Sequence, residues 1–330
     1  MAALVVGLAV PQRAVAAGLV VYSRLDFVPA VVRGFTRESG IAVRVRRPPA
    51  FGLQSRIIAE GQHPRWTLAW FDGASNADHL DRRGLLARHL PQPAGLSAVA
   101  AGVTSADGAY VPTGIGIAGV LVMAKSAPFA PPATWRDLTD PAYHGLIGMN
   151  DPATSEQGFG AIASMLHAAG GWPAGQAYFA ALKADGLHIY RDTATTLAAL
   201  RSGAIQIAIV RSSAGLHYSV DLDRSLRVVV PQPASELPSV IVMARHLSKA
   251  QRRDALRFIA YVNSPAAVGI ALRQGGDDAP FWPAVSAMAA PATMPDFASV
   301  SPVSLDAARL ASVQPAIVAW FVRSIVGPST

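Results

Sequence analysis

Short, wholly apolar runs alternate along this chain with segments of helical period, and that alternation constrains the fold more than any other feature. Leu19-Val20-Val21-Tyr22 reads as a buried strand. Phe27 to Glu38 places Val28, Val31, Val32 and Phe35 at helical spacing, and Gly40 stops it. Ile41 to Val45 is the next strand, so the opening is a βαβ unit on a parallel sheet. The alternation continues with strands over 67–71, 120–123, 146–149, 204–210, 226–230 and 240–244. Helices are expected over 53–60, 77–83, 158–168, 176–184, 195–201 and 249–262, with a last one from Pro315 to Ile325. Ala289 to Pro302, rich in Ala and Pro, reads as an extended surface segment. The class is α/β.

At 330 residues the chain has room for two domains, and 51% hydrophobic against 15% charged residues fits a well-buried globular protein. It has no cysteine, which removes disulfides, thiolate metal sites and thiol catalysis. The eight histidines show no metal-binding spacing, and no P-loop or G-x-S-x-G elbow is present. Neither a cofactor nor a resident metal is expected, and nothing points to an enzyme. The formal charge of +7 favours anionic partners. Its densest cluster, Arg44, Arg46 and Arg47, reads as charge on an exposed strand edge. Without zinc spacing or aromatic-basic interleaving, nucleic acid is not an expected partner. Residues 1–17 read as a secretory signal, with an apolar run from Leu4 to Val10 and an Ala14-Val15-Ala16 cleavage site, but without a positive n-region. No later segment approaches the ~18 uncharged apolar residues of a membrane span.

In open doubly wound sheets, ligands sit beyond the carboxyl ends of strands, at helix N-termini. That rule selects four places: Ser23 to Asp26, Asp72 to Ser75, Asp151 to Ser155, and Arg211 to Ser213. The third follows an apolar strand with Asp-Pro-Ala-Thr-Ser, where Thr154 and Ser155 are N-cap residue types. Gly114-Ile115-Gly116-Ile117-Ala118-Gly119 matches G-x-G-x-x-G, but a strand follows it where a nucleotide site needs a helix. It reads instead as a stretch at a domain crossover. Asp277-Asp278, after two glycines, reads as a solvated turn.

The order and spacing of LVVYS (19–23), FTRESGIAV (35–43), RIIAEGQHPRWTLAWFD (56–72), RRGLL (82–86), TWRDLTDPAYHGLIGMNDPATS (134–155), LRSGAIQIAIV (200–210), LPSVIVMARH (237–246) and FIAYVNSPAAV (258–268) resemble the solute-binding proteins of bacterial ABC importers. The branch is the one that holds ferric-iron, sugar-phosphate and 2-aminoethylphosphonate binders. The resemblance implies a two-lobe type II periplasmic-binding-protein fold, each lobe a doubly wound sheet, joined by crossover strands. Lobe one would be 18–115 plus 235–330, and lobe two 116–234. It implies a periplasmic monomer that closes on a small anionic ligand and delivers it to an ABC permease in the inner membrane. Ferric binders of this branch use two adjacent tyrosines after the strand equivalent to 204–210. Here that position reads Arg211-Ser212-Ser213, and His217-Tyr218 lies later. The resemblance therefore favours an organic anion. Ser23, Ser75, Thr154, Ser155, Ser212 and Ser213 would donate hydrogen bonds, Arg211 would add charge, and Asp26, Asp72 or Glu236 would hold an ammonium group. GGDDAPFWPAVSAM (275–288) and VAWFVRSIVG (318–327) resemble the end of 2-aminoethylphosphonate binders. Arg24-Leu25-Asp26 and Ala279-Pro280 depart from that pattern. The alternatives are a ferric-ion binder using His217 and Tyr218, and a transferase on the same fold, whose usual cysteine handle is missing.

Overall fold

The computed structural model describes residues 18–48, 52–154 and 156–327. The signal-like leader and Ser155 lie outside the described residues. Among the described residues, eleven strands form two sheets: β1 Leu19–Ser23, β2 Val43–Arg46, β3 Leu68–Asp72, β4 Tyr110–Ile117, β5 Val120–Ala124, β6 Ile147–Asn150, β7 His188–Tyr190, β8 Ile207–Val210, β9 Leu226–Val229, β10 Glu236–Met243 and β11 Trp282–Pro283. The first sheet runs β11-β4-β10-β3-β1-β2 and the second β7-β6-β8-β5-β9. β1 pairs in parallel with β2 and β3, while β10 runs antiparallel to β3 and β4. In the second sheet β6 is parallel to β7 and β8, and β5 is antiparallel to β8 and β9. Both sheets are mixed, in the two-lobe arrangement of a type II periplasmic-binding fold.

The continuous apolar strands follow from burial on both faces. Leu19, Val21, Leu68 and Trp70 pack on one face of the first sheet with helices Val28–Ser39 and Lys249–Val262. Tyr22, Ala69, Phe71 and Val240 pack on the other face with helices Leu53–Glu60 and Ala74–Asp81. Successive strand residues point to opposite faces, so no position can be polar without a partner. The second sheet is covered likewise, by helices Glu156–Ala168 and Gln176–Ala184 on one side and Thr193–Ser202 on the other. Local signals set the ends. Gly40 leaves its helix at φ 71°, and Asp192 with Thr195 forms a capping box ahead of helix Thr193–Ser202.

The chain crosses between sheets at Ala118-Gly119, and returns between β9 and β10. The crossings are tied together, since Ala118 N donates to Ser235 O at 2.9 Å and the buried Ser164 and Ser235 hydroxyls lie 3.0 Å apart. This explains the glycine-rich motif. A Cβ on Gly114 would lie 2.6 Å from the Phe281 ring, and one on Gly119 would lie 2.8 Å from the Trp135 indole. The glycines allow close approach of the crossover backbone to two buried aromatics.

Two expectations about the C-terminal region are corrected. The last helix begins at Ala307, where the Asp306 side chain accepts from Arg309 N, and it carries Pro315 inside it. The expectation over-weighted Pro315 as a first-turn residue; the Asp306 cap sets the start instead. The segment 289–302 is not a plain surface strap. It contains helix Phe297–Val300, and Met294 and Val300 are buried beside Leu197 and Leu200. The Phe297 ring sits 5.0 Å from Trp282, whose indole N–H donates to Pro295 O at 3.1 Å. The long helix Ala307–Phe321 touches both lobes. Gln314 donates to Asn76 at 3.1 Å, while Ile317 and Phe321 sit in the core of the second sheet.

Gly114→Ala should lower stability by about 1–3 kcal/mol through overpacking against Phe281. A urea melt should show a lower midpoint at unchanged slope.

Candidate ligand-binding site

A cavity of about 270 Å³ lies where the strands end, and residues from all four places selected by the sheet argument line it: Arg24 to Asp26, Asp72, Thr154 and Arg211. Arg47, Asp192 and Asp277-Asp278 complete its charged wall. Three guanidiniums therefore meet five carboxylates in one small space.

Arg211 is the centre of the arrangement. It follows β8 in the second sheet and is 4% exposed. It forms ion pairs with Asp72 at the end of β3 and with Asp278, both from the first lobe. It also donates to Asp277 O at 2.8 Å, and its Nε is buried without a hydrogen-bond partner. Asp72 is held from its other side by the Ser239 hydroxyl on the neighbouring strand β10. Asp278 also accepts from Asp26 N at 2.5 Å, and Asp26 pairs with Arg47 at 2.5 Å. Burial pushes the Asp277 carboxyl above its usual range, against the pull of Arg211 and His217.

The hydroxyls expected to donate are mostly engaged by the protein. Ser23 is fully buried and accepts from Leu25 N at 3.2 Å. Ser212 accepts from Ile117 N at 2.9 Å, and Ser213 donates to Asp277 O at 2.6 Å. Thr154 lines the cavity and donates to Arg191 O at 2.6 Å. Ser75 and Glu236 do not face Thr154 across this space. They border a second cavity of about 630 Å³, which also touches Asp72. Gly73, at φ 92°, turns the chain between Asp72 and Ser75 so that only the former reaches both cavities. His217 and Tyr218 line neither cavity; their rings meet edge-on at 5.9 Å and His217 pairs with Asp221 at 3.0 Å. Among the described residues, no three His, Asp or Glu side chains are grouped as a metal ion would require.

Sequence reasoning missed Asp278, Arg47, Arg24 and Asp192. Asp278 is not a solvated turn residue: it is 8% exposed and paired. Gly275 and Gly276, at φ 67° and 86°, fold the loop back onto the cleft. Arg47 is not edge charge alone, since its pairing to Asp26 turns it over the cavity mouth.

In the larger cavity, burial pushes the Asp78 carboxyl up to about 6, with Asp81, Asp107 and Asp306 adding to the effect and Arg82 opposing it. Burial likewise raises Glu236.

Two sheets joined by two crossings thus carry a charged cavity where their strands end. The family of bacterial extracellular solute-binding proteins matches residues 30–299, and the chain belongs to it. Its members are the ligand-capturing components of ABC transporters. No curated protein matches the sequence. Among solved structures, iron-bound HitA from Pseudomonas aeruginosa is similar at a TM-score of 0.76 and 21% identity, covering 92% of this chain and 98% of that one. AfuA from Actinobacillus pleuropneumoniae, with fructose-6-phosphate bound, is similar at 0.80 and 16% identity, covering 94% and 98%. At these identities the likeness establishes the fold.

Two outcomes follow from the charges. Arg211→Met leaves two buried carboxylates unpaired and should destabilise by about 3–5 kcal/mol at pH 7. A urea melt at pH 7 would show the lower midpoint. Asp78 has its folded value raised above the ordinary 3.8 to about 6, so the folded state binds more protons between these values and stability falls as pH rises through that window. Asp78→Asn should therefore stabilise by about 1 kcal/mol above pH 6, discounted for remaining solvent, and the gain should vanish near pH 4.

Proposed function

We propose that this chain captures a small zwitterionic organophosphorus anion, 2-aminoethylphosphonate or a related phosphonate or phosphate ester, in the 270 Å³ cavity and delivers it to an ABC permease. The observation that carries the reading is the meeting of both charge signs in one space of small-molecule size. Arg24, Arg47 and Arg211 supply planar donors suited to phosphonate oxygens. Asp26, Asp192 and Asp277 supply acceptors for an ammonium group, and a purely anionic ligand would leave them repelling it.

The same geometry gives the closing step. Arg211 bridges the lobes through Asp72 and Asp278. A phosphonate competes with those carboxylates for the guanidinium, and its ammonium end then neutralises the carboxylates it displaces. The lobes close around the ligand by rotation at the two crossings. The protein works in the periplasm, as a monomer, between the outer surface and the permease. The fructose-6-phosphate held by AfuA supports an organic phosphate ligand in this fold. Iron-bound HitA supports ferric ion as the second reading.

Calorimetry with 2-aminoethylphosphonate, phosphate, glucose 6-phosphate and ferric citrate separates them. The expected result is binding of 2-aminoethylphosphonate, with ethylphosphonate, which lacks the ammonium, at least tenfold weaker. Arg47→Ala should weaken 2-aminoethylphosphonate by about tenfold, or 1.4 kcal/mol. Silence from every phosphorus ligand, with a charge-transfer band on adding ferric ion, would replace this reading with iron.

A further inference from the structure

The 630 Å³ cavity is larger than the cleft and its charge is one-sided. Six carboxylates line it, of Asp72, Asp78, Asp81, Asp107, Glu236 and Asp306, against the guanidinium of Arg82. Ion pairing accounts for three: Asp72 with Arg211, and Asp81 and Asp107 with Arg88. Asp306 caps the last helix. Arg82 is directed at Ala308 O, 2.6 Å away. Asp78 and Glu236 have no cation within ion-pairing distance among the described residues; Ser304 bonds the Glu236 carboxylate, whose buried Oε2 has no partner.

A separate observation points to an occupant. Ser75 and Tyr110 line this cavity at 7% and 4% exposure, and neither hydroxyl has a hydrogen-bond partner among the described residues. The Tyr110 hydroxyl lies within the field of Asp78 and Asp107. Both hydroxyls face the cavity without a protein partner, so each is free to bond a ligand there. The remaining wall is apolar, with Phe159, Leu237 and Leu310.

We propose that this cavity is a second ligand site, for an organic ammonium cation with an apolar stem. Asp78 and Glu236 act as counter-ions, the Ser75 and Tyr110 hydroxyls accept from the ammonium groups, and Phe159, Leu237 and Leu310 take the stem. Asp72 borders the cleft as well, but the counter-ions Asp78 and Glu236 do not.

The test is calorimetry on the full chain at pH 7.5 and physiological salt, with 1,5-diaminopentane as probe and pentane-1,5-diol as its neutral analogue. The diamine should bind one to one and the diol should give no heat. Asp78→Asn and Glu236→Gln should each weaken the diamine at least tenfold, and Tyr110→Phe severalfold. Tyr110→Phe removes a hydroxyl that holds nothing, and Asp78→Asn relieves a buried charge, so both variants should fold. The surface variant Asp221→Asn should change nothing. Binding of 2-aminoethylphosphonate should survive Asp78→Asn, which separates this site from the cleft. Absence of diamine heat in the unaltered protein would overturn the proposal. So would equal binding of the diol, or diamine binding that persists in Asp78→Asn/Glu236→Gln or falls equally in Asp221→Asn.

Discussion

A guanidinium buried between carboxylates from the other lobe is the constraint on which the rest of this structure turns. Desolvating Arg211 is expensive, and the cost is offset only with good geometry on several sides. That geometry requires β8 to end beside β3, Asp72 to be steadied by Ser239, and the loop at Asp277-Asp278 to fold back into the cleft. Each requirement fixes the relation of one lobe to the other. The buried Nε has no partner, so the arrangement is held together by charge but not saturated.

Net charge proves a poor guide to the site. The chain carries +7, which on its own points to anionic partners, yet both cavities hold more carboxylates than guanidiniums. Most of the arginines that set the total lie outside the two cavities, where water screens them. Charge summed over a sequence describes the field at a distance. What a cavity binds depends on the few groups that lose their water together.

Much of the fold was legible because burial on two faces leaves a mark that needs no partner to be read. Leu19 to Tyr22 and Leu68 to Phe71 are apolar runs, each closed by a polar residue, and Gly40 and Gly203 stop helices where left-handed backbone is required. The strand-end rule likewise brought four separated segments to one cavity. What stayed hidden depends on distant chain. Asp278 and Asp26 are 252 positions apart, so two glycines before a pair of aspartates looked like a surface turn. Ser75 was misplaced for a smaller reason. It sits three residues beyond Asp72, but the backbone turns at Gly73 and starts a helix, so the two side chains diverge. Strand parity is readable in a sequence; the direction in which a helix leaves a strand is not.

The last helix carries one further consequence. Two crossing strands lying side by side define a hinge line but leave the halves free to shear or twist across it. Helix Ala307–Phe321 grips both halves, holding Asn76 on one side and the aromatic packing of Phe179, Phe321 and Trp320 on the other. A brace laid across both crossings in this way resists shear and twist between the halves, which neither crossing could resist alone.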